Sequence, residues 1–132
     1  MSMKHKVSSR FRRLTDSEIE AYDLVPAWVA QQALLVRIPG LPGGYRGMTL
    51  SRLVLLTTDF DTADASQLVA HELVHVRQYI QYGKLGFARR YLGEFFTTLT
   101  QTRHWMTAYR SISLEKEAYE LADQWAQRRS SQ

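Results

Sequence analysis

The stretch Val69–Gly83, "VAHELVHVRQYIQYG", decides how the rest of the chain is read. No proline interrupts it, its flanks supply the apolar positions a helix needs for burial, and Gly83 provides a C-terminal stop. A helix is therefore expected from Asp64 or Ser66, either of which can cap it, to about Tyr82. At about 100° per residue, His71, Glu72 and His75 fall within one arc of about 100°. Two imidazoles at i and i+4 can share one metal ion, and a glutamate beside the first can reach a water on that ion. The bland alternative is an amphipathic helix with two unrelated histidines. "HELVH" arises by composition on the order of once in several hundred chains of this length. A half-buried helix that carries both histidines also needs a reason to do so.

The chain has 132 residues, enough to bury a core, and its 45% apolar and 23% charged fractions suit one globular domain. There is no cysteine, which excludes disulfides, thiolate ligands and a cysteine nucleophile. The basic N-terminus is not followed by an apolar run of signal-peptide length, and "ALLV" and "LVLL" are far short of the roughly 20 residues of a membrane span. A soluble, cytoplasmic protein is expected, with no transmembrane segment. The net charge is +4, but residues 1–13 hold five basic groups and no acid, and Arg128 and Arg129 add two more. Residues 14–127 hold 10 basic and 13 acidic groups, a balance of −3. A nucleic-acid face normally belongs to the folded body, so no nucleic-acid partner is expected. The expected organisation is a flexible basic arm over 1–13, one domain over 14–128 and a tail over 129–132.

Thr15 or Asp16 caps a short helix running to about Tyr22, with Glu18 in its first turn. Pro26 opens a second short helical run, "PAWVAQQA". "LLVRI" and "SRLVLLTT" read as strands, pairing as a hairpin across the loop Pro39–Gly47, "PGLPGGYRG". After the Val69–Gly83 helix come a helical run from Gly86 to about Thr100, a short segment "RHWMTAYR", and a last helix capped by Ser113 that ends near Arg128. In the last helix Leu114, Ala118, Leu121, Ala122 and Trp125 recur at helical spacing. The fold class is α+β, a small sheet followed by a helical layer. The aromatics of 87–96 read as core or as the wall of a shallow cleft. Arg77 and Gln78 read as polar residues at the solvent edge.

A catalytic zinc site needs a third protein ligand and an open position for water. The other histidines are His5 and His104, and the downstream acids are Glu94, Glu115, Glu117, Glu120 and Asp123. The last four lie on the final helix, which can aim one carboxylate at the metal. Glu115 and Glu117 both flank its apolar stripe and lie about 200° apart, so only one of them can face the ion.

"HELVH" followed about 40 residues later by "LEKEAY" resembles the gluzincin clan of zinc metallopeptidases, and more narrowly the small bacterial domains called minigluzincins. The resemblance covers roughly residues 50–125. It implies a zincin-like fold, Zn²⁺ as cofactor and a peptide or protein substrate. The clan's pattern Glu-x-Glu-Ala-Asp binds zinc through its first glutamate, which puts the third ligand at Glu115 beside His71 and His75. Tyr119 stands where the clan has an aspartate that supports a zinc-binding histidine. The implied reaction is peptide-bond hydrolysis by a zinc-activated water with Glu72 as general base. Among Tyr109, Arg110 and His104, Tyr109 is the expected oxyanion donor. The strand "RLVLL" would run at the sheet edge beside the cleft, where an extended peptide can pair. The alternative is a catalytically inactive, zinc-binding zincin-like interaction module. Two imidazoles and a carboxylate also hold iron in other proteins. The helical pair with its adjacent glutamate favours zinc.

Overall fold

In a computed structural model of the chain, residues 10–131 are described. Most of the expected basic arm, with Lys4, His5 and Lys6, and the last residue Gln132 lie outside the described residues. Phe11–Arg13 form strand β1, and Arg12 bridges Glu18 at 2.7 Å and Asp61 at 2.7 Å. Burial opposes the Arg12 charge, but Glu18 and Asp61 outweigh it and raise the pKa further.

Thr15 caps helix α1 (Asp16–Ala21) in a reciprocal box. Its Oγ1 accepts from the Glu18 N–H at 3.2 Å, while its own N–H donates to Glu18 Oε1 at 2.8 Å. Asp16 is thus the first helical residue and not the cap. Pro26 leads into helix α2 (Ala27–Ala30), whose Val29 and Ala30 are buried.

Strands β2 (Leu34–Arg37), β3 (Gly47–Leu50) and β4 (Leu53–Leu56) join β1 in a sheet of order β1-β2-β4-β3. The expected hairpin between "LLVRI" and "SRLVLLTT" does not form. β2 and β4 pair in parallel, Leu35 opposite Val54. The hairpin is β3–β4, with Thr49 opposite Val54. The physical reason is local. Closing the two-residue turn Ser51–Arg52, with Ser51 at φ 59°, restricts the chain less than closing the long glycine-rich loop. Among the described residues β4 is therefore an interior strand, and β3 is an edge.

A short 3-10 turn, Ala63–Ala65, feeds helix α3 (Ser66–Thr102). Neither Asp64 nor Ser66 caps it with a side chain: Asp64 lies within the turn and Ser66 is already helical. Gly83 breaks α3 at φ 76° and ψ 164°, a backbone conformation that only glycine adopts readily. The expected stop is thus a kink, with no loop between the two helical halves. Helix α4 (Trp105–Ser111) and helix α5 (Ser113–Ser130) follow. Ser113 does not cap α5 but opens it, and its N–H and Oγ donate to Glu94 at 2.6 and 2.8 Å.

The result is a mixed α+β fold, a small four-stranded sheet and a long helix packed against helices. Leu35, Val54 and Leu56 of the sheet share one buried cluster with Val69, Leu73, Val76, Ala118 and Trp125. Phe87, Phe95, Ala108, Ile112 and Leu114 form a second cluster beyond the kink. The first half of α3 is thereby clamped between the sheet and α5. No helix among the described residues is long and apolar enough to cross a membrane.

Candidate metal centre

His71, Glu72 and His75 are all buried on the first half of α3, as the helical arc requires. Glu115 is buried in the first turn of α5, where the positive end of the helix dipole favours a carboxylate. One donor atom from each of His71, His75 and Glu115 lies within 4.8 Å of the others. Glu115 Oε1 is 2.9 Å from His71 Nε2 and 3.1 Å from His75 Nε2. Glu117 points elsewhere, to Arg77 Nη2 at 2.6 Å and Gln78 Nε2 at 2.8 Å. The rotation of about 200° between the two glutamates accounts for the division.

The donor set fits a divalent metal ion. His75 Nδ1 faces Gln78 Oε1 at 2.8 Å. Gln78 Nε2 donates to the Leu114 carbonyl at 3.0 Å, which fixes the amide's orientation and makes His75 Nδ1 the donor. In the neutral imidazole the lone pair is then on Nε2, the atom that faces Glu115 Oε1 at 3.1 Å. This is the second support that metal-binding imidazoles characteristically have. Gln78 is fully buried and not at the solvent edge, and it ties His75 on α3 to the start of α5. Its spacing from His75, one turn on the same face, was the available signal. Tyr91 donates to Glu115 Oε2 at 2.6 Å and leaves Oε1 to the histidines. Tyr91 lies on the second half of α3, among the aromatics expected as core or as a cleft wall.

Tyr119 lies one turn after Glu115 on α5. Its ring meets His71 edge-on, centroids 4.3 Å apart. His71 Nδ1 is buried without a hydrogen-bond partner among the described residues. Phe87 packs edge-on against His75, centroids 5.9 Å apart.

Glu72 sits beside this group on a cleft of about 460 Å³ lined also by Tyr45, Gly47, Gln67, His71, Tyr109 and Tyr119. Thr49 Oγ1 donates to Glu72 Oε1 at 2.8 Å and so holds one carboxylate oxygen. Nothing in the local sequence marks Thr49, which lies 23 residues away on β3. A Cβ at Gly47 would come within 3.1 Å of Glu72 Oε2, so glycine is what lets β3 approach the second oxygen. Burial raises the Glu72 pKa, against the pull of His75, His71 and Thr49. A carboxylate raised in this way is a better proton acceptor. Burial and the charge of Glu115 push the Tyr109 hydroxyl up, so it remains a donor. The Tyr109 ring packs tilted against Tyr45 in the cleft wall, centroids 5.1 Å apart. His104 and Arg110 are exposed and do not line the cleft.

Burial opposes a charge on His75, but the hydrogen bond and charge of Glu115 prevail, and its pKa is pushed up to about 9. Burial likewise opposes ionisation of Glu115, but His71 and His75 hold it well below the usual carboxylate range. His75 thus stabilises the metal-free fold fully below its unfolded value of 6.5, a contribution lost as pH rises through about 9. The Glu115 contribution is present above 4.5 and lost in acid. A metal ion must displace the His75 proton. Zinc affinity is therefore expected to rise about tenfold per pH unit up to pH 9, with one proton released on binding. Titration calorimetry in buffers of different ionisation enthalpy checks this, and a flat affinity over that range contradicts it.

The chain matches no family model, no curated protein and no solved structure.

Proposed function

We propose that the protein is a zinc-dependent metallopeptidase. The observation that carries this reading is the convergence of His71, His75 and Glu115 donors beside a buried Glu72 that opens on a cleft. A zinc ion held by those three side chains would acidify a bound water and polarise a carbonyl. The protein's own groups divide the remaining work. Glu72, held at Oε1 by Thr49, receives the water's proton and delivers it to the leaving amine. Tyr109 stays protonated and donates to the oxygen on which negative charge develops. Gln78 and Tyr91 hold the ligands still. Among the described residues β3 is paired on one side only, by β4, and it borders the cleft at Gly47, which suits an extended peptide lying along it.

The test is a peptide library incubated with zinc-loaded protein and read by mass spectrometry. Cleavage is expected, lost on chelation and restored by added zinc. Bound zinc without any cleavage would favour the non-catalytic interaction module instead.

A further inference from the structure

Beyond Gly83, α3 carries side chains that the metal centre does not use. Leu85, Leu92 and Phe96 are 73%, 50% and 55% exposed. Their spacing puts them within about 40° on one helix face. The face continues onto α4. Trp105 packs against Phe95 at 4.9 Å, Phe95 meets Phe96 at 5.3 Å, and both Trp105 and Met106 are about half exposed. Of the ten large hydrophobic side chains exposed among the described residues, five fall between Leu85 and Met106, which is a patch and not ordinary scatter.

The charge there is one-sided. Lys84, Arg89, Arg90, Arg103 and Arg110 stand against a single acid, Glu94, which is turned onto Ser113. The rest of the described chain has more acids than bases. Arg89 lies about 20° from Phe96 around the helix, beside the apolar stripe.

We propose that this face docks on an anionic lipid bilayer. The helix lies in the headgroup plane, with Leu85, Leu92, Phe96 and Trp105 inserted and the arginines among the lipid phosphates. The apolar stripe from Leu85 to Phe96 is about 16 Å long, with Arg89 at its edge. Two copies meeting through it would bring the same basic groups together, which disfavours a second chain as occupant. Trp105 Nε1 donates to Tyr45 in the cleft wall at 2.8 Å, so docking would set the cleft mouth close to the membrane. The inference does not depend on hydrolysis.

The full chain is to be sedimented with vesicles of phosphatidylcholine alone and with about 30% phosphatidylserine, at low and high salt. Binding is expected only to the anionic vesicles and weakens as salt rises. The double variant Leu92→Ser/Phe96→Ser should bind about tenfold more weakly while still folding, shown by a cooperative melting curve, because both side chains are about half exposed. Arg89→Glu/Arg90→Glu should lose binding as well. Wild-type binding by the Ser variant would overturn the proposal and assign the attraction to the basic N-terminus. Absence of vesicle binding would overturn it too, and a dimer dissolved by the Ser substitutions would then assign the face to a second copy.

Discussion

In the Glu72→Gln protein, peptide hydrolysis is expected to fall about 10²–10⁴-fold while the zinc content and the fold stay as in the wild type. The three convergent donors are His71, His75 and Glu115, so the substitution removes none of them. The amide keeps the oxygen that accepts from Thr49 Oγ1, so the local hydrogen bond survives. What is lost is a carboxylate able to take up a proton. Burial already disfavours the Glu72 charge, so a neutral group of the same shape is expected to leave the fold intact. Initial rates, metal content and a melting curve on one preparation separate the cases. Full activity in Glu72→Gln would remove Glu72 from the mechanism. Lost metal would make it part of the binding site instead.

The second large effect is expected at Gln78. Gln78→Leu removes the acceptor for His75 Nδ1 and the donor to the Leu114 carbonyl, both in the interior. Two unsatisfied buried polar groups cost roughly 2–4 kcal/mol. The melting temperature should drop on the order of 10 °C. Zinc affinity should fall about 10–100-fold, because His75 then loses its fixed tautomer and orientation. Gln78→Glu is the informative companion. It can still accept from His75 but cannot donate to Leu114, so it should recover metal affinity more than stability. Equal loss of both properties in the two variants would give Gln78 a purely structural part.

What the sequence disclosed was carried by local periodicity. The arc of His71, Glu72 and His75, the break at Gly83 and the buried stripe of the last helix all follow from residues a few positions apart. The resemblance singled out Glu115, which the fold brings beside the two histidines while Glu117 turns to Arg77. Long-range pairing was not legible in this way. The glycine-rich loop suggested a hairpin between β2 and β4, yet a two-residue turn at Ser51–Arg52 gave β4 a nearer partner in β3. That exchange made β3 the cleft edge and brought Thr49 to Glu72, a contact that no spacing in the chain announces. Gln78 was misread because a glutamine after a polar arginine looks solvent-facing until α5 packs over it. Tyr91 was hidden among aromatics whose hydrophobic role was sufficient to explain them.

The central claim is that His71, His75 and Glu115 together hold a zinc ion. Elemental analysis of purified wild type, Glu115→Ala and Glu117→Ala tests it most directly. The account predicts about one zinc per chain in the wild type and in Glu117→Ala, and little or none in Glu115→Ala. A wild-type protein that takes up no metal even after incubation with zinc would contradict it and leave two buried histidines paired with a glutamate as the whole of the site.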